Sequence, residues 1–294
     1  MKYGLLLLPS SSYPSIKSLA LRVEDLGFDS IHVPDHLISQ EQRRSPWLEA
    51  FTLMTALAIE THKINLSFIV LCNSFRNPAL LAKMISTLDN ISNGRILMWL
   101  GAGWNNKEYR QYGYPFPKPK ERVDQLEESL TIYKKLFTED ITNFKGKFWI
   151  LRRTENYPKP IQKPHPQIVL GTNGTRMIDI ACREADGINL PINNILFEDI
   201  PNRISFINEK LKKYNRDPSK FEISIMSPIK MIKDQDELED YTQDIWKNPF
   251  VGYPEDIKQK ITKLESWGIK KIVFWLSRSK LKNRLDVFSA KVMQ

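Results

Sequence analysis

Cysteine is scarce in this sequence, and its scarcity excludes several classes of protein. The 294 residues include only Cys72 and Cys182. No CxxC spacing or histidine at ligand spacing accompanies them, which argues against a structural zinc site and against a disulfide framework. The four histidines do not group as metal ligands either, so a metal-dependent hydrolase is disfavoured and we predict no metal site.

Long apolar runs are also missing. No run approaches the roughly 18 residues that a membrane helix needs, and the apolar start of the chain is too short for a signal peptide. Hydrophobic residues make up 41% and charged residues 26% of the chain, a composition typical of folded globular proteins. We therefore predict a cytoplasmic protein without a membrane partner.

An excess of basic residues gives the chain a formal net charge of +9. Because acidic residues lie among the basic ones along the chain, a solvated lysine-rich surface is favoured and no nucleic-acid partner is expected. A basic protein also suits an anionic cofactor or a phosphorylated substrate, which is the weaker interpretation. No GxxxxGKS, GxSxG or HExxH motif is present, so P-loop, serine-hydrolase and zinc-peptidase functions are not indicated.

The spacing of apolar residues predicts strands and helices that alternate along the chain. The helix over residues 14–27 has apolar residues at the i, i+3, i+4, i+7 positions, and Gly27 is its expected stop. Residues 64–71 alternate too little to have one wet face, which is typical of a parallel strand covered on both sides. Strands are predicted at 3–8, 28–33, 64–71, 95–100, 167–171, 187–190, 221–228 and 270–276, and helices at 14–27, 47–61, 78–91, 120–137, 175–184, 200–214 and 254–267.

Eight strands separated by helices predict an α/β fold, a (β/α)8 TIM barrel formed as a single domain over residues 1–294. An open doubly wound sheet is the main structural alternative. Two stretches, 101–119 and 140–166, are longer than an ordinary connection. We interpret residues 140–166 as an insertion that covers the mouth of the barrel.

The loops that follow strand ends build the active site of such a barrel. Asp35 and His36 follow the second predicted strand. From this pair alone, a simple hydrogen-bonded loop is favoured. The functional interpretation is an imidazole that titrates near neutrality beside a redox ring, with Asp35 fixing either its tautomer or the shape of the loop.

Two small-residue segments follow later strands. Residues 101–105 come after the fourth strand, where glycines let the backbone approach a ligand and Trp104 offers a flat apolar wall. Residues 171–175 follow the fifth strand and open a helix, where amides and hydroxyls suit a phosphate. A turn of small residues without a ligand explains the second segment about equally well.

Further segments complete a pattern that runs along nearly the whole chain. The most specific is residues 101–109, followed by Gly113 and Arg122. The others are residues 24–30, 34–36, 75–79 with Ala82 and Lys83, 92–95, 158–160, 171–174, 185–187 and 252–255. In order and spacing these segments resemble the luciferase-like family of flavin and deazaflavin (coenzyme F420) oxidoreductases.

The resemblance implies a barrel that is usually a homodimer, with the ring of the cofactor over the third strand. It also implies a non-proline cis peptide near Ile69 and Val70, and a cofactor phosphate on residues 171–175. Asp35, His36, Cys72 and residues 101–105 would border the ring. The predicted cofactor-binding residues are Asp35, His36, Ile69, Val70, Cys72, Gly101, Ala102, Gly103, Trp104, Asn105, Gly171, Thr172, Asn173, Gly174 and Thr175, and the predicted catalytic residue is His36.

The chain departs from the family pattern at one position that matters for chemistry. Members that resemble deazaflavin-dependent sugar-phosphate and alcohol dehydrogenases carry Glu directly after the GxG, where this chain has Trp104. That carboxylate is their proposed proton donor, so those reactions are in doubt here. For Glu108 we expect a structural role, and Trp47 resembles an active-site Trp of the same branch, although the start of a packed helix explains it equally well.

The leading hypothesis is a coenzyme F420-dependent oxidoreductase that transfers a hydride between the deazaflavin and an unidentified small organic substrate. The cofactor would do the redox chemistry, with His36 as acid/base or as a hydrogen bonder beside the ring. An FMN-dependent luciferase-like monooxygenase is the enzymatic alternative. A non-catalytic flavin-binding barrel protein is the alternative from another class, since a fold does not guarantee an activity.

Overall fold

The structure is a computed structural model, and it describes residues 1–40, 44–192, 195–232, 250–276 and 281–293. The chain divides into two compact units, a first one of residues 1–7, 18–32 and 171–294 and a second one of residues 8–17 and 33–170. Among the described residues, no helix is both long and apolar enough to cross a membrane. The single domain over residues 1–294 stays a prediction.

Strands and helices alternate along the chain, as the apolar pattern predicts. The helices are α1 (Tyr13–Asp25), α2 (Ala50–Glu60), α3 (Pro78–Ile91), α4 (Asn106–Gln111), α5 (Pro119–Thr138), α6 (Thr175–Glu184), α7 (Ile200–Lys213), α8 (Pro254–Ser266) and α9 (Leu281–Phe288). The strands are β1 (Lys2–Leu6), β2 (Ser30–Val33), β3 (Asn65–Phe68), β4 (Leu71–Cys72), β5 (Ile96–Gly101), β6 (Thr142–Lys145), β7 (Ile150–Thr154), β8 (Ile168–Gly171), β9 (Gly187–Pro191), β10 (Glu222–Met231), β11 (Val251–Gly252) and β12 (Lys271–Leu276).

The first unit contains parallel strands in the order β9, β10, β12, β1 and β2. Gly4 lets β1 lie close to β2, because a Cβ at this position would come within 2.9 Å of both the His32 imidazole and the Ser30 hydroxyl. The C-terminal helix α9, which the apolar pattern did not reveal, brings Phe288 against the rings of Tyr3 and Phe274. These aromatic contacts explain why α9 is present although its own apolar pattern is short.

The second unit contains parallel strands in the order β3, β5 and β8. The third predicted strand is interrupted: β3 ends at Phe68, and β4 resumes the pairing with β5 at Leu71. Cys72 at the end of β4 lies opposite Gly101 at the end of β5. The two residues therefore lie at the same edge of this part of the sheet, the one formed by the C-terminal ends of its strands.

The insertion near residues 140–166 is present, but its predicted position over the mouth of the barrel is wrong. Its first part is the antiparallel hairpin of β6 and β7. Further on, the Gln162 side-chain amide donates to the carbonyl of Ile96 (2.7 Å) and to the carboxylate of Asp89 (2.7 Å). Ile96 begins β5, whereas residues 101–105 follow its end, so this part of the insertion packs at the opposite end of the strand.

Arg95 joins the end of α2 to the start of β5. Its guanidinium donates to the carbonyls of Ala58 (2.7 Å), Thr61 (2.9 Å) and Ile64 (2.9 Å), and its Nε donates to the carbonyl of Ser92 (2.8 Å). The last carbonyls of a helix have no partner within the helix, and here one side chain supplies donors for them. The 92–95 segment of the sequence pattern therefore has a structural function.

We predict that Arg95→Ala lowers the free energy of unfolding by about 3 kcal/mol, because several half-buried carbonyls lose a charged donor. Urea denaturation followed by circular dichroism would measure the change. Arg152→Ala is the matched control, since Arg152 is exposed on β7 and its removal is expected to leave stability unchanged. Equal stability of the two variants would contradict the role of Arg95.

Candidate functional site

The candidate site lies in the second unit, where three strand ends meet. Asp35 and His36 follow β2, and β2 is linked to the break after β3 by a hydrogen bond from the Ile69 amide to the Val33 carbonyl (2.9 Å). The pairing of β4 with β5 then places Cys72 and Gly101 at the same edge. Parallel strands thus bring together the predicted residues Asp35, His36, Ile69, Val70, Cys72, Gly101, Ala102, Gly103, Trp104 and Asn105.

Asp35 is a structural anchor of this edge. Its side chain is 1% exposed and forms a bidentate ion pair with the Arg76 guanidinium, at 2.7 and 3.0 Å. The same carboxylate accepts the amide of Cys72 (2.9 Å). Asp35 therefore fixes the shape of the loop after β2, while the alternative role predicted for it, fixing the His36 tautomer, is wrong because the imidazole has another partner.

That partner is Glu108, at the start of α4. His36 Nδ1 lies 2.9 Å from Glu108 Oε2, and the other carboxylate oxygen accepts the amides of Leu37 and Ile38. The Glu108 side chain is 1% exposed. Because an ionised carboxylate can only accept, Nδ1 is the protonated nitrogen of a neutral His36 and Nε2 keeps its lone pair.

The short helix α4, which the apolar pattern did not reveal, positions Glu108. Asn105 caps this helix, since its side-chain oxygen accepts the amide of Glu108. The Asn105 amide group also donates to the side chain of Gln40 (3.0 Å). Helix α4 is therefore attached at two points to the loop that carries His36. The structural role expected for Glu108 is present, together with the contact to His36, which the sequence did not indicate.

Trp47 also contacts His36. Its indole Nε1 donates to the backbone carbonyl of His36 (2.8 Å). The residue precedes α2, which begins at Ala50 because the Glu49 carboxylate caps the amides of Phe51 and Thr52. The interpretation of Trp47 as the start of a packed helix is therefore wrong, and the structure places it at the candidate site.

Cys72 is a neutral thiol at physiological pH. Burial raises its pKa to about 11, and the hydrogen bond to the Tyr109 hydroxyl, 3.0 Å away, lowers the pKa only in part. Since the thiolate is the reactive form of cysteine, Cys72 is not a nucleophile here. The sulfur contributes a small apolar surface between Phe75 and Tyr109.

Gly103 has a packing role that differs from the expected approach to a ligand. It adopts φ +81°, and a Cβ at this position would overlap the Tyr109 hydroxyl and lie 3.0 Å from the Cys72 sulfur. Its carbonyl accepts Nε of Arg122 (3.2 Å). The second glycine of the GxG segment is thus required by the protein interior.

Ile69 and Val70 form an open apolar surface. The peptide bond between them is cis, which confirms the geometry that the sequence resemblance implies. Both residues are partly exposed, whereas the residues of β3 after Asn65 and both residues of β4 are buried. The break in the strand therefore leaves two apolar side chains partly exposed, which suits contact with a planar ring.

The predicted phosphate turn, residues 171–175, lies in the first unit. Gly174 caps α6 without a side-chain hydrogen bond, and its amide donates to the Thr172 hydroxyl (3.0 Å). The Asn173 side chain donates to the Pro191 carbonyl (2.8 Å). No cap side chain accepts the first amides of α6, which suits an anion. A phosphate role for Gly171, Thr172, Asn173, Gly174 and Thr175 stays a prediction.

The grouping of side chains also bears on metal ligation. Across the described parts of the chain, no three His, Cys, Asp or Glu side chains are grouped so that they could hold a metal ion. Asp35 and Glu108, the buried carboxylates of the candidate site, bind Arg76, backbone amides and His36. Hydrogen bonds and ion pairs therefore account for the contacts of both carboxylates.

We predict that Gly103→Ala destabilises the protein by about 3 kcal/mol, because the new methyl group strains the backbone and overlaps the Tyr109 hydroxyl. Gly113→Ala is the matched control. Gly113 also has a positive φ of +73°, but nothing lies within 4 Å of its added Cβ, so only about 1 kcal/mol is expected. Chemical denaturation of both variants would test this, and equal losses would contradict the packing role.

Sequence comparison identifies relatives with two different cofactors. The chain is 34% identical over 171 residues to the F420-dependent glucose-6-phosphate dehydrogenase of Amycolatopsis mediterranei, which covers 57% of this chain and 50% of the relative. It is 33% identical over 138 residues to the FMNH(2)-dependent dimethylsulfone monooxygenase of Pseudomonas putida, which covers 47% of this chain and 38% of the relative. The chain thus matches half or less of the length of these relatives.

Structural comparison confirms the predicted (β/α)8 barrel. An F420-dependent secondary alcohol dehydrogenase, solved with an F420-acetone adduct, has a TM-score of 0.86 at 20% identity and covers 99% of this chain and 98% of its own. The F420-dependent tetrahydromethanopterin reductase of Methanopyrus kandleri has a TM-score of 0.81 at 18% identity, with the same coverages. The family model for luciferase-like monooxygenases matches residues 1–270. The chain therefore belongs to the luciferase-like monooxygenase family.

Proposed function

We propose that this protein is a coenzyme F420-dependent oxidoreductase that transfers a hydride between the deazaflavin and a small organic substrate. The observation that carries the proposal is the His36–Glu108 pair at the strand ends that also carry the partly exposed Ile69 and Val70. Two similar proteins, the glucose-6-phosphate dehydrogenase and the secondary alcohol dehydrogenase, are named as F420-dependent, and this supports the choice of a deazaflavin. Membership of the family supports an oxidoreductase in general.

The residues of the second unit fit a flat, largely apolar ring. Ile69 and Val70 offer an uncovered apolar surface, and the buried Cys72 thiol is neutral. The nearby charge of Asp35 is matched by Arg76. A ring bound here would therefore contact apolar and neutral groups, with His36 as the side chain able to exchange a proton.

The deazaflavin, when bound, supplies or accepts the hydride. The protein then has to move a proton, because oxidation of an alcohol releases one proton and reduction of a carbonyl consumes one. His36 Nε2 is suited to this, since Nδ1 is held by Glu108 and the lone pair of Nε2 can accept and pass on a proton. Trp47 binds the His36 carbonyl and Glu108 binds the Leu37 and Ile38 amides, so the backbone that follows His36 is held in place.

An FMN-dependent monooxygenase is the second candidate, because the dimethylsulfone monooxygenase of Pseudomonas putida is nearly as similar in sequence. A homodimer, a cytoplasmic location and a phosphate role for residues 171–175 complete the proposal. The homodimer and the cytoplasmic location rest on the sequence alone. The phosphate role rests on the sequence and on the absence of a side-chain cap at α6.

Parallel titration of the apoprotein with F420 and FMN, followed by cofactor fluorescence at low salt, tests the cofactor directly. We predict selective binding of F420 with micromolar or tighter affinity. Selective binding of FMN would replace the proposal with the monooxygenase or another FMN-dependent reaction. Binding of neither cofactor would contradict both, and tight binding without turnover of any substrate would favour the non-catalytic alternative.

We predict that His36→Ala slows hydride transfer by about a hundredfold, because the proton acceptor is lost. The dissociation constant for the cofactor should change much less. Single-turnover absorbance measurements and fluorescence titration would separate the two quantities. His62→Ala is the control, since His62 is exposed and follows α2 outside the candidate site. Unchanged turnover in His36→Ala would remove His36 from the mechanism.

A further inference from the structure

Trp104 is an exposed aromatic ring beside His36. The residue is 67% exposed, and its ring lies 5.7 Å from the imidazole, centroid to centroid, at an interplanar angle of 85°. Large aromatic side chains ordinarily bury most of their surface, so an open indole beside a reactive group is informative.

The backbone holds Trp104 in place. Gly103 on one side packs against Tyr109, and Asn105 on the other side caps α4. The carbonyl of Trp104 itself accepts the amide of Asn106 (3.1 Å). The backbone that carries the indole is thus fixed on both sides, while the side chain itself is mostly exposed.

A second open aromatic ring flanks the same loop. Tyr112 is 53% exposed, and its hydroxyl donates to the carbonyl of Leu37 (3.0 Å), next to His36. Tyr112 and Trp104 are the two residues of the 101–113 segment that expose large apolar surfaces. The surroundings of His36 are therefore aromatic and apolar on the side that the β5–α4 segment provides.

The charges near His36 disfavour an anionic substrate. Among the described residues, the partners of Glu108 are His36 and two backbone amides, and no lysine or arginine forms an ion pair with it. The nearby Arg122 is occupied by the carbonyls of Gly103 and Pro117 and lies over the Phe116 ring. A phosphate or carboxylate brought to His36 would meet a buried negative charge, which raises the free energy of binding.

We propose that Trp104 determines substrate choice, and that the substrate is a neutral, flat, conjugated carbonyl compound that stacks on the indole. The inference deepens the proposed function and rests on it for the reaction. Reduction would form one carbon–hydrogen bond with a hydride from the reduced cofactor, which is thereby oxidised, and one oxygen–hydrogen bond with a proton that His36 Nε2 takes up from water and passes to the carbonyl oxygen. This balance needs a single proton donor.

Binding of benzalacetone, a flat conjugated ketone, to the protein with and without F420 tests the inference. Saturation-transfer NMR would give dissociation constants for benzalacetone, for its saturated analogue benzylacetone and for glucose 6-phosphate. We expect the wild type to bind benzalacetone at least tenfold more tightly than either of the others. Trp104→Ala should weaken benzalacetone binding at least tenfold and Trp104→Phe less than threefold, while Ile150→Ala, at an exposed position of β7, should have no effect.

The outcomes separate this inference from the proposed function. Trp104→Ala should weaken benzalacetone binding at least fivefold more than F420 binding, so equal loss of both would assign the indole to the cofactor alone and overturn the inference. No binding of benzalacetone to the wild type, or unchanged binding in Trp104→Ala, would also overturn it. If the wild type binds no F420 but still binds benzalacetone through Trp104, the inference stands and the proposed redox function fails.

Discussion

The buried carboxylate of Glu108 is the constraint on which the candidate site depends. A charge that is 1% exposed is costly unless hydrogen bonds replace its hydration, and here two loop amides and an imidazole do so. Since Glu108 is on α4 and its donors are on the loop after β2, satisfying this one charge joins two loops that are distant in sequence. The orientation of His36 is a consequence of that requirement.

Asp35 is also a buried carboxylate, and a different partner stabilises its charge. Its carboxylate is paired with Arg76, so its charge is compensated and its function is to hold β4 against the loop after β2. Among the described residues no lysine or arginine pairs with Glu108, whose carboxylate accepts instead from the His36 imidazole and two backbone amides. Two buried carboxylates at one edge of the sheet thus differ in function because one is neutralised by an ion pair and the other is not.

The sequence predicted those elements whose signals are local. Helix α3 has its predicted bounds because Asn77 caps it and Pro78 begins it, and the bounds of α6 were also correct. Helix α4 has six residues, too few for a periodic pattern, and the pairing of His36 with Glu108 joins positions 72 apart. The position of the insertion was wrong for the same reason, since its partners Asp89 and Ile96 are identified only by tertiary packing.

Position 104 can change its chemistry without changing the fold. The glycine before it is required by Tyr109 and the asparagine after it caps α4, but the Trp104 side chain itself is mostly solvent-exposed. A substitution there costs little packing and alters the surface next to His36, whereas a substitution at Gly103 disturbs the interior. Under the proposed role of Trp104, this position therefore sets substrate choice while Gly103, His36 and Glu108 keep the site in place.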